Sequence, residues 1–264
     1  MQPSNSVHSQ WPGHKPVATM PGSLPMGGTV PMTPIHAFNH PEASLRLSHQ
    51  PLLQPVRQDI DLGGLLAFTI KGVMTSSEAA AMVQASERFG YRSEAPGIST
   101  PPGMRMNKSV HWVADDELTL PLFKRIAHLL PPRIGTAGLH TGFSQRINMY
   151  RYDANDVFNR HTDGDWPGYS LSRDRREMLQ WSANLRSALT MLLYLNGPDD
   201  GVLGGNTRLY TPQGAWVDVV PSAGSALFFR HGFGADSVVH EGCRVHSSVP
   251  KYVARINVMY AAAA

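Results

Sequence analysis

Between Ile60 and Gly90 the chain shows its first clear pattern of apolar and polar positions. The stretch "LLAFTIKGVM" alternates imperfectly, as a half-buried strand does. "TSSEAAAMVQASERFG" then reads as a helix. Thr75 is placed to cap it, Glu78 to close a capping box, and Gly90 to stop it. A Pro/Gly-rich loop, "APGISTPPGM", follows. "DDELTLPLFKRIAHLL" predicts a second helix capped by Asp115 or Asp116, with an apolar stripe of Leu118, Leu122, Ile126 and Leu129. Pro121 either lies in its first turn or splits it, and "PPRIG" ends it. From about residue 140 the pattern changes. "FSQRINMYRY", "SALTMLLYLN", "NTRLY", "AWVDVV", "SALFF", "SVVH" and "KYVARINVMY" are short β-rich runs, many of them separated by Gly, Pro, Asn or Asp. This favours a mainly β sandwich or barrel braced by two helices over alternating α/β units.

Residues 1–58 hold ten of the 21 prolines and a single acidic residue, Glu42, and sustain no period of 2 or 3.6. They are expected to form a flexible tail or an arm packed on the main domain. The folded body is expected over residues 59–264, with its β-rich core over about 140–260. Five histidines of the first segment, His8, His14, His36, His40 and His49, are too widely and irregularly spaced to suggest a metal site.

Composition narrows the function classes. Of 264 residues, 16% are charged, and 23 basic against 20 acidic residues leave a formal charge of +3 without a basic block. "SRDRREM" is diluted by its own acids, so a nucleic-acid partner is not expected. The single cysteine, Cys243, excludes an intrachain disulfide and cysteine-built metal clusters; it reads as a small buried hydrophobe. A protein-bound metal must therefore use His, Asp or Glu. "GVLGG" lacks the lysine and the context of a phosphate loop. The N-terminus lacks a basic start followed by an apolar run, and no stretch reaches membrane-spanning length. The expectation is a cytoplasmic protein without a membrane partner.

The stretch "NRHTDGDWPG" places His161 and Asp163 two apart, on one face if the backbone is extended. "SVVHEG" supplies His240 at the end of a distant β-rich run. Two imidazoles and one carboxylate match the facial triad of non-haem Fe(II) oxygenases, which leaves the opposite face of the metal open.

The pieces "YRYDANDVFNRHTDG", "LTMLLYLNG", "GGNTRLY", "PSAGSALFF" and "HEGCRVHSSVPKYVARINVMY" occur in this order. Over Arg146 to Tyr260 the chain thus resembles the Fe(II)/2-oxoglutarate-dependent oxygenases, in particular their prolyl 4-hydroxylase-like branch. The resemblance implies a double-stranded β-helix, a cupin-like jelly roll supported by N-terminal helices. It also implies Fe(II), with 2-oxoglutarate and O₂ as cosubstrates and ascorbate as a stimulant. His161, Asp163 and His240 take the place of the iron ligands, and Tyr152 and Tyr194 of cosubstrate-pocket tyrosines. Lys251 takes the place of the basic residue that grips the distal carboxylate. It stands eleven residues after His240 where the family usually has ten, and "HSSVPK" lacks the usual preceding glycine. Arg255 shares its strand parity, so either cation can point inward; alignment favours Lys251. Asn206 replaces the glutamate of the commoner "GGET", and Arg208 adds a charge nearby. The implied reaction is hydroxylation of an unactivated C–H bond, with 2-oxoglutarate converted to succinate and CO₂. Asp163 argues against a halogenase. Desaturation, epoxidation and cyclisation would use the same centre. A non-catalytic jelly-roll binding protein and a cupin-like enzyme without 2-oxoglutarate are the alternatives from other classes. The substrate is either a protein side chain or an amino acid or small natural product, and homo-oligomerisation is left open. Trp166, Trp181 and Trp216 line a cleft or pack the core. His231 supports the site or sits in a turn, and "RREMLQWSANLRS" is a lid or a plain connection.

Overall fold

The computed structural model describes residues 13–48 and 53–262. Among them, a twelve-stranded mixed sheet runs in the order Val56–Asp59, Ala67–Lys71, Ala226–Arg230, Leu185–Tyr194, Lys251–Ala261, Arg146–Tyr152, Lys108–Val113, Thr29–Phe38, His14–Ser23 and Ala95–Pro96, with Ala137–Phe143 and Arg133–Ile134 joined beside the Lys251–Ala261 strand. A second, four-stranded sheet runs Phe158–His161, His240–Gly242, Thr207–Tyr210 and Trp216–Val219. The two make a mainly β, jelly-roll core. The pairings are antiparallel except where Thr29–Phe38 meets Lys108–Val113.

Period-two alternation on three neighbouring strands builds both the core and the site. Ile147 and Met149, Met191 and Leu193, and Ala254, Ile256 and Val258 face the helices, in one apolar cluster with Met82, Leu118, Leu122 and Ile126. The opposite parity carries Tyr150 and Tyr152, Leu192 and Tyr194, and Val253, which pack with Phe158, Leu209 and Phe229 of the other strands. Thr190, Lys251 and Arg255 share that second parity.

The helices follow their sequence signals. Ser76–Arg88 is capped by Thr75: Glu78 N donates to Thr75 Oγ1 at 3.1 Å, and Thr75 N donates to Glu78 Oε2 at 2.9 Å. Glu78 also takes two bonds, 2.9 and 2.8 Å, from Arg125 on the second helix, Asp116–Ile126, so one carboxylate ties both helices together. Asp115 sits at the cap position of that helix but pairs with Arg175 instead of capping. Pro121 lies inside the helix, which runs on to Ile126 without splitting; the Glu117 carbonyl simply receives no bond from it.

The proline-rich segment enters the main sheet. His14–Ser23 and Thr29–Phe38 form a hairpin whose Val17, Ile35 and Ala37 pack against Val113. Pro16 and Pro21 lie where the hairpin register shifts, the positions at which a strand tolerates a missing donor. His14 and His36 bond to each other through Nδ1 at 3.0 Å. His8 and His49 lie outside the described residues. Among the described residues no helix is long and apolar enough to cross a membrane.

Candidate active site

Antiparallel pairing sets His161 directly opposite His240, with ring centroids 4.2 Å apart. Asp163 follows two residues after His161. Its Oδ1 is 3.9 Å from His161 Nε2 and its Oδ2 is 3.9 Å from His240 Nε2. The three candidate ligand atoms all lie within 4.8 Å of one another. His161 Nδ1 bonds the Asn159 carbonyl at 2.7 Å and His240 Nδ1 the Val238 carbonyl at 3.1 Å. A carbonyl only accepts, so each Nδ1 carries the proton and each Nε2 lone pair is free for a metal. Phe158 stacks on His161 at 3.7 Å, and Phe229 lies 4.3 Å from His240. Burial pushes the His161 imidazole down to about 3 and lowers His240 as well, so both rings are neutral. Orientation, protonation and the single carboxylate all fit a divalent ion held on one face.

Asp163 is positioned by two further donors. Thr190 Oγ1 donates to its Oδ2 at 2.6 Å, and Arg255 Nε donates to the same oxygen at 2.9 Å. Burial acts to raise the Asp163 carboxyl, but the Arg255 guanidinium together with His240, His161 and His231 holds the group well below the usual carboxylate range. Because Thr190 spends its only proton on Asp163, it must accept from His231 Nδ1, 2.7 Å away. His231 Nε2 then accepts from Ser187 Oγ at 2.9 Å. Ser187 Oγ in turn accepts from the Trp166 backbone N–H at 2.8 Å. His231 is thus a fully buried support of the carboxylate rather than a turn residue.

Lys251 lies 1% exposed at the inner end of the same face. Its Nζ donates to the Gly205 carbonyl at 2.5 Å and stands 4.8 Å from the Tyr152 ring and 5.7 Å from the Tyr194 ring. Tyr194 Oη donates to Thr207 Oγ1 at 2.8 Å. Burial pushes the Lys251 ammonium down to about 8. The sequence-predicted residues Tyr152, His161, Asp163, His240, Lys251 and Arg255 line one narrow pocket together with Thr207; Tyr194 reaches it through Thr207. A neighbouring cleft of about 320 Å³ shares His161, Asp163 and Arg255 and is walled by Ile98, Met104, Trp166 and Phe233.

Other expectations resolve separately. Trp166 is on the cleft wall. Trp181 packs beside His140, and Trp216 is exposed over Arg208. Arg208 is engaged by Asp218 and adds no free charge to the site. Cys243 is only partly buried, not the core hydrophobe expected: its Sγ faces Glu241, and burial pushes the thiol up to about 11. The "RREMLQWSANLRS" segment begins in a hairpin, Tyr169–Leu171 with Met178–Gln180, whose Arg175 is fastened to Asp115 and the Phe38 carbonyl. Thr190 and Thr207 were missed in the sequence. Strand parity with Leu192 was the available signal for Thr190.

A His–Asp–His cluster on a jelly-roll core defines the class: the fold of the non-haem iron oxygenases with a candidate metal site. A family model points the same way. Residues 147–259 match the model of the 2OG-Fe(II) oxygenase superfamily. Over these residues the chain is similar to the 2OG-Fe(II) oxygenases, a superfamily whose members use Fe(II), 2-oxoglutarate and O₂. The fold is similar to the 2-oxoglutarate complex of a viral collagen prolyl hydroxylase from Paramecium Bursaria Chlorella virus-1, at TM-score 0.50 and 16% identity over 76% of this chain and 99% of that one. A Pseudomonas putida prolyl-4-hydroxylase aligns at TM-score 0.46 and 17% identity, over 77% and 96% of the two chains. A Trichoplax adhaerens prolyl hydroxylase, bound to a hypoxia inducible factor peptide, aligns at TM-score 0.47 and 15% identity, over 80% and 84%. Comparison with the sequences of curated proteins finds no match.

Proposed function

We propose that the protein is a 2-oxoglutarate-dependent dioxygenase that hydroxylates an unactivated C–H bond, with His161, Asp163 and His240 as the iron ligands and Lys251 as the grip on the distal carboxylate of 2-oxoglutarate. When bound, the iron supplies the redox chemistry that couples decarboxylation of the cosubstrate to oxidation of the substrate. The protein's part is placement. The Nδ1 bonds to Asn159 and Val238 fix both imidazoles. Thr190 and Arg255 fix the carboxylate and occupy its Oδ2, which leaves Oδ1 with its lone pairs free. Lys251 waits, buried, with one carbonyl for company; a buried ammonium is stabilised strongly by a carboxylate. Tyr152 and the Tyr194–Thr207 pair wall the space between.

The single observation that carries this reading is the pocket that joins the triad to a fully buried cation. Desaturation, epoxidation and cyclisation would draw on the same residues, and product mass separates them: hydroxylation adds one oxygen, desaturation removes two hydrogens. Purified protein with Fe(II), ascorbate and 2-oxoglutarate is expected to form succinate slowly without substrate. His161→Ala and His240→Ala are expected to lose iron and succinate formation together. Confirmed iron binding without any succinate would refute the reading.

A further inference from the structure

The inner face of the main sheet carries more buried positive charge than the reaction so far described uses. Arg255 is 5% exposed, Arg146 5% and Lys251 1%. Register aligns His111, Asn148 and Arg255 in one row across three strands. Arg146 lies behind them, its guanidinium on the Pro96 carbonyl and His111 Nδ1, below the cleft wall at Gly97 and Trp166. Among the described residues, the carboxylate paired with this group is Asp163, through Arg255, and in the proposed reading it also serves the metal. A ferrous ion and 2-oxoglutarate carry equal and opposite charges and cancel. Three buried cations are then balanced by one carboxylate. Buried charge is costly unless paired, so the occupied site still calls for an anion.

Arg255 marks where that anion would sit. Its Nε is used on Asp163, but its Nη2 is buried with no hydrogen-bond partner among the described residues. Arg255 lines the cleft as well as the narrow pocket. The remainder of the cleft wall is largely apolar: Ile98, Pro101, Met104, Trp166 and Phe233. Its volume, about 320 Å³, suits a molecule of amino-acid size rather than a folded peptide loop.

We infer that the substrate is a small free carboxylic acid with an apolar body, its carboxylate seated on the unpartnered Nη2 of Arg255 and its body against Met104, Trp166 and Phe233. The inference rests on the assignment of Lys251 to 2-oxoglutarate, which leaves Arg255 for the substrate. Arg255 is thus a specificity determinant as well as a support of Asp163.

The test is calorimetric titration, under argon, of the full-length protein loaded with Mn(II) and 2-oxoglutarate. The probes are free apolar L-amino acids and N-acyl L-amino acids, each paired with its C-terminal amide. At least one acid is expected to bind, with its amide about 10- to 100-fold weaker, the range for a lost charge-assisted bond. Arg255→Gln is expected to bring that ratio near one, and Arg255→Lys to keep most of it; both are checked for bound Mn(II). Equal binding of acid and amide, or an unchanged ratio in Arg255→Gln, would overturn the inference. So would binding of a neutral prolyl peptide in place of every acid, and so would loss of 2-oxoglutarate affinity in Arg255→Gln with affinity kept in Lys251→Met. Uncoupled succinate formation is measured alongside. Its absence would overturn the oxygenase reading and this inference with it; succinate formation without preference for an acid would overturn the inference alone.

Discussion

Replacing Lys251 by methionine separates binding from stability, because the two are expected to move in opposite directions. In the free protein the ammonium is fully buried on a single carbonyl, and burial pushes it from 10.5 down to about 8. The unfolded chain keeps the ordinary value. Below about pH 8 the folded state therefore carries the whole cost of the buried charge, about 3 kcal/mol from a shift of this size. The cost fades as pH rises from about 8 to 10.5, where the folded state sheds a proton that the unfolded state keeps. Lys251→Met removes the charge while filling similar space. It is expected to raise stability by about 1–3 kcal/mol at pH 7, or ~2 °C in Tm per kcal/mol for a chain of this size. In the complex the sign reverses, since the distal carboxylate would be buried unpaired, at about 3–5 kcal/mol. The 2-oxoglutarate Kd is then expected to rise about 10²- to 10⁴-fold. Wild-type affinity is expected to be flat below about pH 8 and to weaken above it, because a neutral amine must first take up a proton. Lys251→Arg is expected to move that weakening out of range. Calorimetry with Mn(II) gives the affinities and thermal unfolding the stabilities. If Lys251→Met keeps wild-type affinity while Arg255→Met loses it, the reasoning about the clamp is refuted.

Three other outcomes follow from the same contacts. Thr190→Val removes the donor to Asp163 and strands His231; metal affinity is expected to drop about 10- to 100-fold with the fold retained, measured by anaerobic metal titration and circular dichroism. Glu78→Ala leaves Arg125, whose side chain is 4% exposed, without its ion pair; a loss of about 3–5 kcal/mol in denaturant unfolding is expected, with metal affinity unchanged. Gly224 has φ of +75°, and a Cβ there would meet the Met74 carbonyl oxygen at 2.0 Å; Gly224→Ala is expected to cost more than about 3 kcal/mol, and a near-neutral result would contradict the described turn.

The site was legible where its signals are local or paired. His161 and Asp163 declare themselves through i, i+2 spacing, and His240 through the run that ends in it. Thr75 and Glu78 fix the first helix because a capping box lies within four residues. The described part of the proline-rich segment was harder. Its two strands place Pro16 and Pro21 at register shifts, and composition does not reveal a bulge. Asp115 looked like a cap because the cap position is visible in sequence; its partner Arg175, 60 residues away, is not. Burial was the other missing quantity. Arg146 and His111 carried no signal in the sequence, and only strand pairing puts His111 in one row with Asn148 and Arg255. Lys251 and Arg255 shared a parity in sequence. The distances now divide them, with Arg255 on Asp163 and Lys251 on Gly205.

Crystals grown anaerobically with Mn(II) and 2-oxoglutarate test the central claim most directly. One metal ion is expected, bonded to Nε2 of His161, Nε2 of His240 and a carboxylate oxygen of Asp163, with the keto acid chelating it and its far carboxylate on Lys251. A metal ion bound elsewhere, or a His240 ring turned away from it, would contradict the account.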